Sequence, residues 1–125
     1  MIPKIIHYYW LSNDPLPQDL QTYMKSWEKL LLDYQFKKWD FSVFDKTSSV
    51  WVSEAFDNKK YAFACDYIRL YAVYHYGGIY MDMDIQVLKP FDPLLSQLRM
   101  IGAENSKDPL QIEAGCFGSE KEISF

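Results

Sequence analysis

The stretch "YAFACDYIRLYAVYHYGGIYMDMDIQVLKP", residues 61–90, constrains the fold more than any other part of the chain. Its first sixteen residues are apolar nearly all round, which predicts a largely buried helix. Gly77-Gly78 predicts the end of that helix, because glycine adopts the left-handed conformation that closes helices. "IYMDMDIQVL" then reads as a central strand that Pro90 stops. A buried helix running into a buried strand through two glycines points to a layered α/β domain.

The remaining segments agree. "KIIHYYW", residues 4–10, reads as a first strand, and "LSNDPLP" has turn chemistry. "QDLQTYMKSWEKLLL" has helical spacing, with Leu20, Tyr23, Met24, Trp27, Leu30 and Leu31 along one face. "DYQFKKWD" predicts a second strand, with Tyr34, Phe36 and Trp39 among its buried positions. "FSVFDKTSSVWVSEAFDNKK" predicts short helices and loops, and "DPLLSQL" a short helix. "MIGAE" and "IEAGCFGSE" predict two more strands. Strands alternating with helices give a mainly parallel sheet with flanking helices.

The chain has 125 residues, enough for a single domain over 1–125. A net charge of −4 argues against nucleic acid as the main partner, since phosphate binding needs a basic face. Arg69 and His75 interrupt the best apolar run, so no transmembrane segment is expected. "MIPKIIHYYWLSND" carries His7 within its apolar run and lacks a small-residue cleavage site, so it is not read as a signal peptide. Two cysteines, Cys65 and Cys116, fit a reduced protein better than a disulfide. The expected location is cytoplasmic, with peripheral association at the inner face of a membrane also compatible. Ten Tyr, eight Phe and four Trp suit a ring-rich core, or flat platforms for a sugar or base; composition alone favours the core.

Asp82 and Asp84 are out of place in a strand meant only for a core. In a strand, Tyr80, Asp82 and Asp84 share one face, with the two Asp Cα atoms roughly 6.6 Å apart. Ligands of open α/β sheets sit at strand carboxyl ends, where two carboxylates suit a hard divalent cation such as Mg2+ or Mn2+. Without an ion, two like charges ~4 Å apart cost about 4 kcal/mol at an effective dielectric of 20. A divalent cation reverses that sign and can carry a diphosphate. D-x-D is nevertheless short and common, and taken alone it fits acids emerging into solvent slightly better than a site. Gln86 and Val87 speak against a calcium-binding loop, which wants Asp or Asn and then Gly there. An aspartyl-phosphate phosphatase would place its D-x-D after the opening strand, and here about two-thirds of the chain precedes it.

Asp66 and Arg69 lie three apart on the helix and share a face. A local ion pair is one reading, worth ~0.2–0.5 kcal/mol. Charges on so apolar a helix need partners or a ligand, and the Gly-Gly turn leads straight to the aspartates. Both residues can thereby face the same cleft as Asp82 and Asp84.

"IPKIIHYYW", "AFACDYIRLYAVYHYGGIYMDMDIQVLKPFD" and "GCFGSEK" together resemble the DXD-containing sugar transferases. These include yeast initiating outer-chain mannosyltransferases, bacterial capsular-polysaccharide transferases and, more distantly, clostridial glucosylating toxins. The resemblance implies a GT-A nucleotide-diphospho-sugar transferase fold, here the N-terminal donor-binding portion, truncated at its C-terminus. It implies a retaining hexosyl transferase using Mn2+ or Mg2+, a UDP- or GDP-hexose donor and a glycan or lipid-linked glycan acceptor. Asp82 and Asp84 take the catalytic and metal-binding places: Asp84 directly on the metal, Asp82 reaching ribose and sugar and the metal mainly through water. Asp66 and Arg69 match the pair that holds the donor sugar, Tyr80 a donor-site tyrosine, and Trp10 an aromatic near the base, a core Trp being the other reading. His7 belongs to the opening block as a structural residue. Glu113 and Gly115 either line the cleft or form an ordinary inner strand. The sequence departs from the family at Leu11-Ser12, where glycine often follows the Trp, and at Cys65, where Ser or Ala is common.

The expected function is hexosyl transfer to a glycan, in bacterial capsular or surface polysaccharide synthesis. The alternative is a non-catalytic module that binds a nucleotide sugar or a partner chain without turnover. Binding with no donor hydrolysis separates the two.

Overall fold

The structure, a computed structural model, describes residues 1–10, 14–40, 44–103 and 112–122. Its strands are Ile5–Tyr9 (β1), Gln35–Trp39 (β2), Gly78–Met81 (β3), Arg99–Ala103 (β4) and Ile112–Ser119 (β5). Its α-helices are Gln18–Leu30 (α1), Val50–Asp57 (α2) and Tyr61–Tyr76 (α3). The strands form one sheet in the order β2-β1-β3-β5-β4. The expected parallel core is present in β2-β1-β3, and β5 and β4 join it antiparallel, so the sheet is mixed.

Strand alternation sorts the side chains into two faces. Ile6 and Tyr8 of β1 and Ile79 and Met81 of β3 pack with Trp27 and Leu31 from the α1 side. Tyr9 and Tyr80 pack the other way, with Cys65 and Val73 of α3 and Phe117 of β5. Trp39, Val52, Ala55, Ala64, Ile68 and Ala72 complete that second face under α2 and α3. The result is three layers, helix–sheet–helix. Full burial of a side chain the size of Leu or Ile contributes about 1.5–3 kcal/mol.

The helix-to-strand joint follows the sequence reading. The Gly77 N–H donates to the Val73 carbonyl at 2.9 Å and ends α3. Gly77 has φ +69° and Gly78 φ +107°. A Cβ at Gly78 would lie 2.6 Å from the Ile5 carbonyl oxygen, so glycine lets β3 close on β1.

Three expectations need correction or refinement. β3 ends at Met81 rather than running on towards Pro90. The Asp82 N–H donates to the Gly115 carbonyl at 2.7 Å, and Ile85 N–H reaches back to the Asp82 carbonyl at 3.3 Å. Asp82–Ile85 is therefore a turn, the local structure that aspartate favours, and Tyr80, Asp82 and Asp84 are not one row on a strand. α3 is not covered all round: Tyr67, Leu70 and Tyr74 are 41%, 55% and 43% exposed. The sheet and α2 cover only part of its circumference. "DPLLSQL" forms a short 3-10 turn over Asp92–Leu94 rather than a longer helix.

Candidate donor site

The topology places the site. α1 crosses one face of the sheet from β1 to β2, and α2 and α3 cross the opposite face to set β3 on the other side of β1. The carboxyl ends of β1 and β3 therefore diverge from a switch point, where open α/β sheets leave a crevice. Trp10 follows β1 and Asp82 follows β3 at that edge. A cleft of about 270 Å3 opens there, lined by Tyr9, Trp10, Leu20, Asp82, Met83 and Asp84.

The turn explains how both acids reach the cleft. Met83 is 7% exposed and packs in the core on the α1 side, while Asp84 on its flank is exposed. The segment beyond is fastened to α1. Trp27 Nε1 donates to the Ile85 carbonyl at 2.7 Å, and the Val87 N–H donates to Ser26 Oγ at 2.9 Å.

Trp10 is fixed at both ends. Its N–H donates to the Trp39 carbonyl at 3.2 Å, and its Nε1 donates to the Asp14 carbonyl at 2.9 Å. It also borders a second recess of about 180 Å3, with Tyr8, Asp14, Leu16, Met24, Lys38 and Met83. Its ring thus stands between two adjoining openings.

Behind Asp82 lies a buried polar cluster. The Tyr80 hydroxyl donates to Asp82 Oδ1 at 2.7 Å and lies 3.5 Å from Cys65 Sγ. Tyr9 stacks on Tyr80, with ring centroids 6.2 Å apart and an 11° interplanar angle. The Arg69 guanidinium lies 5.0 Å from the Tyr80 ring centroid. Burial, with Cys65 and Asp82 adding to it, pushes the Tyr80 hydroxyl far above its usual range, so it stays a donor. Burial likewise pushes the Cys65 thiol up to about 12, so it stays a thiol.

Arg69 pairs with Asp66 at 3.1 Å, the Arg side chain 13% and the Asp side chain 58% exposed. Neither lines the cleft that the two acids of the D-M-D turn share. Arg69 reaches the site through the Tyr80 ring. Of the residues singled out in the sequence, Trp10, Asp82 and Asp84 line the cleft, and Tyr80 and Arg69 lie behind it. Gly115 takes part through its carbonyl. The Glu113 side chain, Leu11 and Ser12 lie outside the described residues. Tyr9 and Met83 were missed; Tyr9's place follows from its position at the carboxyl end of β1 beside Trp10.

The donor set can be tested against a divalent ion. Among the described residues no group of three or more His, Cys, Asp or Glu is placed to hold a metal. That does not suit structural zinc, which takes four protein ligands. Two carboxylates from one turn beside an open cleft do fit Mg2+ or Mn2+, whose other ligands are waters and substrate phosphate oxygens.

Comparison with known proteins gives a concordant result. Residues 17–101 match the family described as "Glycosyltransferase sugar-binding region containing DXD motif". Inositol phosphoceramide mannosyltransferase 3 of Schizosaccharomyces pombe is 37% identical over 98 residues, 75% of this chain and 27% of that protein. Mannosyl phosphorylinositol ceramide synthase SUR1 of Saccharomyces cerevisiae is 33% identical over 100 residues, 77% of this chain and 26% of that protein. The chain spans about a quarter to a third of the length of such curated relatives. Among solved structures, the PaToxG glycosyltransferase superposes with TM-score 0.69 at 19% identity, covering 97% of this chain and 56% of that one. That likeness shows the fold, a GT-A-like mixed α/β sheet with flanking helices.

Proposed function

The chain belongs to the glycosyltransferase family whose sugar-binding region contains a DXD motif, and on that premise we propose that its cleft binds a nucleotide-diphosphate hexose for transfer to an acceptor hydroxyl. The observation that carries this reading is the convergence of Asp82, Asp84 and Trp10 on one cleft at the switch point. Asp84, the exposed acid, holds a divalent ion directly; Asp82, pinned by Tyr80, contributes at closer range to the sugar and ribose. When bound, Mn2+ or Mg2+ supplies Lewis-acid stabilisation of the departing diphosphate. Trp10 offers its ring to the base, held in plane by its bond to Asp14. The Arg69 guanidinium, oriented by its ion pair with Asp66, lies over the Tyr80 ring behind the cleft, where the pair is placed to help hold the donor sugar.

The named relatives favour mannose as the hexose, hence a GDP donor, with a UDP donor as the second choice. The proposed acceptor is a glycan or a lipid-linked glycan. Two settings compete for it: bacterial surface polysaccharide, suggested by the sequence, and a glycolipid head group, suggested by the relatives' names. Incubation with a panel of GDP- and UDP-hexoses and Mn2+, with and without glycan and inositol-lipid acceptors, tests the reading. Release of nucleoside diphosphate with one donor, enhanced by an acceptor, is expected. Tight binding of a donor without release or transfer supports the non-catalytic donor module instead, and binding of no donor overturns both.

A further inference from the structure

The resemblance gives Tyr80 a place in the donor site, and its surroundings point to what it does there. Tyr80 is 1% exposed and does not line the cleft. Its ring is held between Tyr9 and Phe117, at centroid distances of 6.2 and 5.7 Å, with Arg69 over it. Its hydroxyl meets Asp82 Oδ1 at 2.7 Å and Cys65 Sγ at 3.5 Å. A carboxylate oxygen only accepts, so the hydroxyl hydrogen goes to Asp82. The phenolic oxygen then accepts from the Cys65 S–H, a weak donor that burial keeps protonated.

We infer that Tyr80 is a positioning residue: the directed chain Cys65 S–H, Tyr80 O–H, Asp82 Oδ1 fixes the carboxylate of Asp82 in the orientation the diphosphate–cation complex requires. The inference rests on the donor-site reading above. Its warrant is geometric. Asp82 follows the last residue of β3, at the start of the turn. Backbone anchoring comes from the Gly115 carbonyl, but that bond leaves the side-chain torsions unset. A charge-assisted bond from an immobile, stacked phenol sets them. Cys65 is part of the device because its sulfur fills the space beneath the hydroxyl and gives it a donor.

Tyr80→Phe tests this, since it keeps the ring stacked on Tyr9 and beneath Arg69 and removes only the hydroxyl. Binding of GDP or UDP, whichever the wild type takes, is measured by calorimetry with Mn2+ and with EDTA, alongside the thermal midpoint. The expected result is about a tenfold or greater loss of Mn2+-dependent affinity, the scale of a hydrogen bond to a charged group. The thermal midpoint without ligand, and with it the fold, stays near wild type. In the Asp82→Asn background the same change costs no further affinity, because the carboxylate it orients is gone. Cys65→Ser, which keeps a donor, retains affinity, while Cys65→Ala loses part of it. That pair decides the matter should Tyr80→Phe not fold. Unchanged Mn2+-dependent affinity in Tyr80→Phe, or equal affinity in Cys65→Ser and Cys65→Ala, overturns the positioning role. Failure of the wild type to bind with Mn2+ overturns the donor-site reading itself.

Discussion

His7 is fully buried between two elements and its tautomer is fixed by them. Trp39 Nε1 can only donate, and it does so to His7 Nδ1 at 3.0 Å. The proton therefore sits on Nε2, which donates to the Gly77 carbonyl at 2.8 Å. Burial lowers the His7 pKa to about 4 from 6.5, even though the Gly77 bond works the other way. Below pH 6.5 the unfolded chain takes up a proton that the folded one refuses. His7's contribution is thus complete above pH 6.5 and falls away as pH drops towards 4, by about 3 kcal/mol over that window. Urea unfolding at stepped pH, compared with a His7→Gln variant, reads this as an extra acid-side slope in the wild type. Trp10→Ala is expected to weaken nucleotide binding by about tenfold, as loss of one base–aromatic stack; equal affinity for base-less pyrophosphate in both proteins would locate the effect at the base. At this scale the sequence was readable where residue type restricts chemistry. The two aspartates and Trp10 stood out, and His7, read as structural, is buried between Trp39 and Gly77. The thiol–phenol–carboxylate chain was hidden, because it depends on which neighbours β1, α3 and β3 bring within 3.5 Å.

Among elements, the Gly77-Gly78 joint matters most. Gly78→Ala places a methyl 2.6 Å from the Ile5 carbonyl oxygen at φ +107°, where L-residues are strained. A loss of about 2–4 kcal/mol is expected in chemical denaturation, with Gly77→Ala also destabilising. Ser26→Ala frees the Val87 N–H and loosens the segment after the D-M-D turn, at about 1 kcal/mol. Helix and strand centres were legible from periodicity, including both ends of α3. The end of β3 was not. "IYMDMDIQVL" keeps a strand's alternation through residues whose backbone has already turned. Apolar residues on the far side of that turn, Met83 and Val87, are buried against α1 rather than in the sheet. A period-two pattern cannot distinguish those cases. The face of α3 carrying Tyr67, Leu70 and Tyr74 misled for a similar reason: apolar character all round a helix shows what it can bury, not what covers it.

For the molecule, the decisive feature is strand order. A helix between β1 and β2 and two helices before β3 are compatible with several sheets. Only placement of the helical connections on opposite faces puts β3 beside β1 and opens the crevice between Trp10 and Asp82. The sequence therefore indicated the fold class and the acids, while the cleft emerged from packing. A ligand of the folded state should raise stability by mass action, about 2.7 kcal/mol at a hundredfold excess over its Kd. Nucleoside diphosphate with Mn2+ should accordingly raise the thermal midpoint by several degrees, and neither component alone should do so. The most direct test is calorimetric titration of the wild type and Asp84→Ala with GDP and UDP, each with Mn2+ and with EDTA. The wild type is expected to bind one of them only with Mn2+, and Asp84→Ala to lose that dependence. Binding that is indifferent to the ion, or a Mn2+ dependence that survives in Asp84→Ala, would contradict a metal–diphosphate site on the D-M-D turn.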